Sequence, residues 1–178
     1  MSFNFQKAKP VIIVLILAGV LFLISQVRPG CTVTREPNEV RGMSLGSQLP
    51  DGSSVILLRG YYKCHEPARG EIAAFQAPGN AVPVIKVVRG VPGDQFSLTS
   101  DTTGGHLLIN GNVQTTAEGQ PYVLSENRVA FWTLYVNQFH GVIPPKAYML
   151  LGNIPGGALD SIRYGFISSS QLIGKIQR

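Results

Sequence analysis

A long apolar run near the start of the chain limits what the sequence can fold into. Every residue from Val11 to Ile24 is apolar or glycine, and the stretch from Pro10 to Val27 contains no charged residue. A charge-free stretch of this length is at the short end of what can cross a bilayer as a helix. We therefore expect residues 10–27 to form a single transmembrane anchor.

The residues on either side of the run indicate its orientation. Lys7 and Lys9 lie in an N-terminal tail, 1–9, without acidic residues, and positively charged flanks favour the cytoplasmic side. The alternative is a cleaved signal peptide, but the following residues, "SQVRPGC", contain no small-x-small cleavage site. A lipoprotein signal is disfavoured because Arg28 stands three residues before Cys31. We expect the tail in the cytoplasm and the rest of the chain across the membrane.

The residues after the anchor have the pattern of a mostly β domain. The 20 glycines and 12 prolines are scattered without a period, which is typical of short strands joined by turns. We predict an irregular juxtamembrane linker at 28–37 and a folded domain at 38–178, within which 97–142 is a smaller variable β region. No stretch after the anchor shows a sustained helical period. The predicted strands include "SSVILLRGYYK", "GEIAAFQA", "PVIKVVRG", "HLLING", "RVAFWTLYV", "AYMLLGN" and "RYGFISSSQLIGKI".

Charge and cysteine content limit the kinds of partner. The net charge is +5, but the basic residues are dispersed and not interleaved with aromatic side chains, so nucleic acid is not an expected partner. Cys31 and Cys64 are expected either to form a disulfide in an exported domain or to remain unpaired thiols. His65, His106 and His140 lack metal-ligand spacing, and no metal or other cofactor is expected.

One predicted strand contains a lysine among apolar residues. In "PVIKVVRG", Val84, Lys86 and Val88 share one face, and Ile85 and Val87 share the other. A lysine among valines loses hydration, which lowers the pKa of its amine and makes the neutral form available as a general base. The alternative is a lysine at a sheet edge whose ammonium group reaches water. The strand pattern taken alone favours this alternative.

A glycine-rich turn upstream offers a candidate nucleophile. Ser44 lies between Gly42 and Gly46, in a turn that precedes a predicted strand. Because glycine has no Cβ, such a turn can expose a hydroxyl group and let a substrate backbone approach closely. Turns rich in serine and glycine are common, so this one alone indicates no activity.

Together and in this order, the two features resemble the type I signal peptidase family (peptidase family S26) of serine/lysine proteases. "VRGMSLGSQLPDGSSV" (40–55) is similar to the family's nucleophile motif, V-x-G-x-S-M-x-P-x-L-x-x-G-D-x-V, and "VIKVVRGVPGD" (84–94) is similar to its lysine motif. "RGEIAAF" (69–75), "IPPKAYMLLGN" (143–153) and "LDSIRYGFISSSQLIGK" (159–175) resemble further family segments. The order and spacing of the segments are more specific than any one of them.

The resemblance implies a signal-peptidase-like β domain and assigns roles to individual residues. Ser44 would be the nucleophile and Lys86 its neutral general base. Gly42, Met43 and Leu45 would belong to the loop that binds the oxyanion and the substrate. Exposed apolar residues near the site, such as Leu45, would contact lipid.

Other residues would bind the substrate or support the site. The strand that contains Val84 and Ile85 would pair with an extended substrate peptide, which adds a strand to the sheet. Asp160, Ser161 and Arg163 fall in the last family segment and would support the lysine. The substrate would be a precursor protein, or a pilin, with small residues at the first and third positions before the cut.

Several positions depart from the family pattern near the nucleophile. Leu45 and Ser47 replace the methionine and the proline of the motif, and Leu45 keeps an apolar anchor for the loop. Gly42 stands where some members carry a serine whose hydroxyl completes the oxyanion hole, so another donor would have to serve. Asn153 replaces the aspartate of the family's G-D-N.

The last segment departs more seriously. Ala158 replaces the serine that orients the lysine in the family, and Arg163 comes one residue late. Either Ser161 or a backbone group would then orient Lys86, or activity would be reduced.

The expected function is removal of signal peptides from exported proteins by a membrane-anchored serine endopeptidase. The protein would lie in the inner (cytoplasmic) membrane, with its catalytic domain on the periplasmic or extracellular side. One alternative is the conjugative-transfer branch of the family, in which a small peptidase matures a pilin precursor. Another is a catalytically inactive, membrane-tethered β scaffold, which Ala158 and Asn153 favour.

Overall fold

The structure, a computed structural model, describes residues 31–102 and 104–178. The predicted tail at 1–9 and anchor at 10–27 lie outside the described residues. Within the described part, no helix combines the length and the apolar character needed to cross a membrane. Residues Thr32–Arg178 form one compact unit, which holds the strands and helices below.

An antiparallel sheet of seven strands lies at the centre of this unit. The strands are β1 (Thr34–Glu39), β2 (Ser54–Arg59), β3 (Ile72–Phe75), β4 (Val84–Gly90), β8 (Ala147–Leu151), β9 (Ile167–Ser168) and β10 (Leu172–Gln177). Their order across the sheet is β1-β2-β10-β3-β4-β8-β9. The last strand along the chain, β10, therefore pairs with both β2 and β3, and β4 lies between β3 and β8.

The chain between β4 and β8 forms a second, smaller sheet and a helix. β5 (Phe96–Asp101), β6 (Gly104–Ile109) and β7 (Asn112–Val113) are antiparallel, and helix α1 (Glu126–Phe139) follows them. A second helix, α2, is one short turn, Ser161–Tyr164, between β8 and β9. The predicted mostly β fold is confirmed for the described residues.

Burial along the strands follows from their position in the sheet. In β2, Val55 and Leu57 are buried and the residues between them are less so, which is the alternation of a strand with one covered face. Nearly all of β8 is buried instead. Leu150 and Leu151, which are neighbours in β8, pack into different hydrophobic clusters. Strand β8 is therefore covered on both faces.

Three hydrophobic clusters form the core. The first joins the small sheet, α1, α2 and β8 around Phe96, Leu107, Trp132, Met149 and Ile162. The second packs the loop after β1 onto one face of the main sheet through Leu45, Leu49, Val55, Leu57, Val87 and Ile176. The third covers the other face with Ala73, Phe75, Val88, Tyr148, Leu150 and Ile167. The second cluster fixes the loop that contains Ser44.

Helix α1 corrects the prediction that 97–142 is a β region without helical periodicity. The segment "RVAFWTLYV", predicted as a strand, lies inside α1. Val129, Trp132, Val136 and Phe139 are three or four residues apart and pack on the core, as do Phe131 and Tyr135 beside them. The exposed Leu134 and the partly buried Phe131 hide this period, and aromatic and β-branched residues favour strands in isolation. Tertiary packing therefore overrides the local preference.

Strand β1 corrects the prediction of an irregular linker at 28–37. The strand begins at Thr34 and pairs with β2 along its whole length. Pro37 lies within it, which is tolerated because β1 is an edge strand and one side needs no N–H donor. The proline and the lack of buried apolar residues gave no strand pattern in the sequence.

Replacement of Trp132 by alanine is expected to destabilise the fold strongly. The indole is fully buried and forms edge-to-face contacts with Phe96 and Phe166, so its loss leaves a large cavity. We expect the free energy of unfolding to fall by about 3–5 kcal/mol, measured by denaturant unfolding of the full chain in detergent. Leu134→Ala, at a position that is 66% exposed on the same helix, is the control and should change it by less than about 0.5 kcal/mol.

Candidate active site

Lys86 lies in the middle of β4 with its side chain buried. The residue is 2% exposed, and its neighbours alternate as predicted, with Val88 in one core cluster and Val87 in another. Strand β4 pairs with β3 at Lys86, and its pairing with β8 begins at the next residue. Because Lys86 is buried, the alternative that its ammonium group reaches water is wrong.

Ser44 lies in the turn between β1 and β2. Gly42 adopts a φ of +97°, which favours glycine, and the N–H of Gly46 donates to the carbonyl of Met43 at 3.0 Å. Leu45 is 2% exposed and packs into the second core cluster. The expectation that Leu45 contacts lipid is therefore wrong: it anchors the loop, and its neighbour Met43 is 78% exposed.

The two side chains meet. Nζ of Lys86 lies 2.6 Å from Oγ of Ser44 and donates a second hydrogen bond to the carbonyl of Ile85 at 2.8 Å. The orienting group in this structure is thus a backbone carbonyl. Ser161 does not fill that role, since its Oγ accepts the N–H of Leu150 at 2.9 Å.

Burial dominates the titration of Lys86. It lowers the pKa of the amine to about 8, while the nearby carboxyl of Asp160 raises it and opposes part of the shift. A pKa near 8 leaves an appreciable neutral fraction close to neutral pH. The amine can therefore accept a proton under ordinary conditions.

Asp160 is fully buried at the N-terminus of α2. Its carboxyl accepts backbone N–H groups of Gly152 at 2.9 Å, Ile162 at 3.0 Å and Ala158 at 3.2 Å. Burial raises its pKa, against the effect of these hydrogen bonds and of Lys86. Asp160 therefore joins the end of β8 to the start of α2 and contributes negative potential at the lysine.

Arg163 is not brought to the lysine. The residue is exposed, and its guanidinium lies over the ring of Tyr164, 5.8 Å from the centroid. Within the described residues, no ion pair joins Arg163 to Asp160. The side chain lines one end of the cleft and does not support Lys86 as predicted, because the arginine stands one residue late on a short helix.

The backbone of Ser44 is held by the two residues that follow β8, and its N–H group is left available as a donor. The carbonyl of Ser44 accepts the N–H of Asn153 at 2.6 Å, and a Cβ on Gly152 would lie 2.8 Å from that carbonyl. In the described part of the chain, the N–H of Ser44 has no hydrogen-bond partner. The N–H of Gly42 is engaged instead by the carboxylate of Asp51 at 2.7 Å. The Ser44 N–H is thus the donor next to the hydroxyl that can bind an oxyanion.

A cleft of about 1110 Å³ opens at the Ser44 hydroxyl. Its walls come from β1, the Ser44 loop, the start of β4 and the segment before α2, and include Asn38, Val40, Gly42, Val84, Ile85, Ala158 and Leu159. Pairing of β4 with β8 begins at Val87. The earlier residues of β4 therefore present an unpaired strand edge to the cleft, which is suited to an extended peptide.

The described residues contain no group of three or more His, Cys, Asp or Glu side chains able to hold a metal ion. Cys31 and Cys64 are both disulfide-bonded, so neither offers a free thiol as a ligand or a nucleophile. The Ser44 hydroxyl and the Lys86 amine meet in the cleft, which charged side chains such as Glu39 and Arg41 also line.

Comparison with known proteins identifies the family. The family described as signal peptidase, peptidase S26, matches residues 8–178. The chain belongs to this family. Signal peptidase IB of Staphylococcus aureus (strain COL) is 29% identical over 151 residues, which cover 79% of this chain and 74% of that protein. The probable signal peptidase I-2 of Synechocystis sp. is 26% identical over 152 residues, covering 81% and 62%.

The crystal structure of a signal peptidase I from Enterococcus faecalis V583 is 25% identical and covers 62% of this chain and 97% of that chain, with a TM-score of 0.37. The resemblance found in the sequence motifs is confirmed by the family match. The chain is therefore a serine endopeptidase of the signal peptidase family, and the relationship supports cleavage of signal peptides.

A polar cluster that could not be predicted from the sequence joins two of the family segments. Nη2 of Arg69 lies 2.7 Å from each carboxylate oxygen of Asp94, which also accepts the N–H of Val91 and the amide of Asn110. Burial raises the pKa of Asp94, but these hydrogen bonds outweigh it, and the net pKa is below its usual value. The cluster closes the turn after β4. No local pattern signals this pairing, because the partners come from separate turns.

Lys86 is expected to titrate near pH 8, whereas Lys175 should titrate above the usual lysine value because it pairs with Glu71. The measurement is an NMR titration of the full chain in detergent with lysine labelled at Cε. Asp160→Asn removes a negative charge that stabilises the ammonium form, so the pKa of Lys86 should fall further. A Lys86 pKa at the ordinary value, or one that rises in Asp160→Asn, would contradict this assignment.

Proposed function

We propose that this signal peptidase removes signal peptides from exported proteins by means of a Ser44/Lys86 dyad. The observation that carries the proposal is the contact of 2.6 Å between Nζ of Lys86 and Oγ of Ser44, made by a lysine that is 2% exposed. A buried amine with a pKa of about 8 can serve as the base. The names of the relatives, signal peptidase IB and signal peptidase I-2, support signal peptides as the substrate.

In the proposed first step, Oγ of Ser44 attacks the carbonyl carbon of the scissile peptide bond. The hydroxyl proton passes to the lone pair of neutral Lys86, which reverses the hydrogen bond that the ammonium form donates. The negative charge that develops on the substrate oxygen is stabilised by the backbone N–H of Ser44. The C–N bond then breaks, and Lys86 returns a proton to the leaving amine.

The acyl-enzyme is hydrolysed by the same groups in reverse. Neutral Lys86 takes a proton from water, and the resulting hydroxide attacks the ester carbonyl of the acylated Ser44. The carboxylic acid product leaves, and the proton returns to Oγ. The Ile85 carbonyl keeps Nζ directed at Ser44 through both steps, in place of the side-chain hydroxyl that Ala158 lacks.

The substrate is proposed to bind as an extended strand along the free edge of β4 at Val84 and Ile85. This mode uses backbone hydrogen bonds for affinity and shallow pockets for side-chain selection. The cleft wall beside Ser44 is built of Val40, Gly42 and Ala158. Small residues at the first and third positions before the cut are the expected preference.

Membrane anchoring through residues 10–27 is part of the proposal. The apolar run and the preceding lysines support a single span with its tail, 1–9, in the cytoplasm and the peptidase on the outer side. Signal peptides remain in the bilayer after translocation. An anchored enzyme would therefore meet them at raised effective concentration.

Loss of either dyad residue is expected to abolish cleavage without unfolding the protein. Ser44→Ala and Lys86→Ala should lower kcat/KM for a precursor by at least about a thousandfold, whereas Lys63→Ala, a surface lysine, should stay near wild type. The assay follows cleavage by the purified full chain in detergent, with an export precursor and a pilin precursor in parallel. Cleavage of the pilin alone would identify the conjugative branch, and wild-type activity in either dyad variant would rule out the mechanism.

The pH dependence should report the buried amine. Protonation of Lys86 removes the base, so kcat/KM should fall about tenfold per pH unit on the acid side and level off above pH 8. The measurement is precursor cleavage across the pH range at constant ionic strength. A profile that is flat through pH 8, or that falls as the pH rises through this value, would be inconsistent with Lys86 as the base.

A further inference from the structure

The segment that follows Ser44 depends on polar contacts for its position. The 3-10 turn Gly46–Gln48 contains no buried residue. Leu45 and Leu49 are buried at its two ends, but the turn between them lies at the surface. Contacts made by its side chains therefore add to the hold that Leu45 and Leu49 have on the backbone around Ser44.

Glu118, from the connection between β7 and α1, contacts this turn. Its Oε1 accepts the hydroxyl of Ser47 at 2.7 Å, and its Oε2 accepts Nδ2 of Asn153 at 2.8 Å. Each carboxylate oxygen thus accepts a hydrogen bond from a different side chain. The hydrogen bond from Ser47, followed by that from Asn153, holds the pKa of Glu118 below its usual value.

Asn153 transmits this contact to the nucleophile. Its Oδ1 accepts the N–H of Ala117 at 2.6 Å while its Nδ2 donates to Glu118, so both ends of the amide are fixed. Its backbone N–H donates to the carbonyl of Ser44 at 2.6 Å. The orientation of one side chain is thereby coupled to the peptide group of the nucleophile.

Ser47 and Asn153 are two of the positions at which the chain departs from the family motifs. A proline at 47 would have no hydroxyl to donate, and an aspartate at 153 would bring a second carboxylate beside Glu118. Both residues present here supply a donor to the same carboxylate. The two departures therefore form one unit with Glu118.

We infer that Glu118 is a positioning residue for catalysis, which holds the Ser44 peptide in place through Ser47 and Asn153. This inference rests on the proposed role of Ser44. It gives the connection between the small sheet and α1 a part in the reaction, although none of its residues contacts the dyad. Small displacements of a nucleophile lower the rate steeply.

Kinetics of the full chain in detergent test the coupling. Glu118→Gln keeps one acceptor and should lower kcat about fivefold, with KM nearly unchanged. Asn153→Asp should lower kcat about thirtyfold through carboxylate repulsion. In the double variant, kcat should recover to near that of Glu118→Gln, because the amide then present at position 118 can donate to the carboxylate at position 153. Glu126→Gln, an exposed carboxylate on α1, is the control.

Two results would overturn the inference, provided that cleavage still depends on Lys86. One is that the two substitutions lower kcat independently in the double variant, and the other is that Glu118→Gln keeps the wild-type kcat. Failure of the proposed function would appear differently, as cleavage that does not depend on Lys86. A second measurement does not need activity: Glu118→Gln should speed hydrogen exchange at the Asn153 backbone N–H about tenfold. The neighbouring Gly152 N–H, which donates to Asp160, should be unchanged, and an unchanged rate at Asn153 would overturn the inference.

Discussion

The removal of the Lys86 amine from water is the constraint on which the rest of the site depends. Strand β4 pairs with β3 at this residue and with β8 from the next residue onward, and the side chain is buried beside that junction. The amine then needs neighbours that can accept its hydrogen bonds, and these are Ser44 and the carbonyl of Ile85. The turn that contains Ser44 is itself held by Leu45 and Leu49, which pack in the core. Core packing and reactivity are therefore set by the same contacts.

Features that follow from local pattern could be predicted from the sequence. The alternation in β4 predicted the faces of Val87 and Val88, and the order of the motifs predicted that Ser44 and Lys86 belong together. Helix α1 could not be predicted in the same way, since its buried residues are hidden among other apolar ones. The sequence also could not predict that the Ile85 carbonyl orients the lysine, because this is a backbone group. It could not predict the contacts of Glu118, because that residue comes from a distant turn.

The small sheet and α1 contribute no reactive group to the site, yet their packing affects its geometry. Their own cluster, around Trp132, includes Met149 and Leu151 of β8. The residue that follows this strand, Gly152, approaches the Ser44 carbonyl closely enough to exclude a side chain. The packing beneath α1 and the geometry of the turn that contains Ser44 thus both depend on the position of β8. Departures from the family motifs at Ser47 and Asn153 are accommodated from this region by hydrogen bonding.

The position of β10 has a consequence for how the molecule is made. Residues Leu172–Gln177 are synthesised after the other described strands, yet they fill the gap between β2 and β3. Ile176 also completes the cluster beneath Leu45. Because chains emerge from the N-terminus onward, the sheet stays divided into two open-edged parts until β10 has been made. Assembly of the nucleophile turn on its support is thereby delayed until then, and a chain that has not yet reached β10 remains without its complete site.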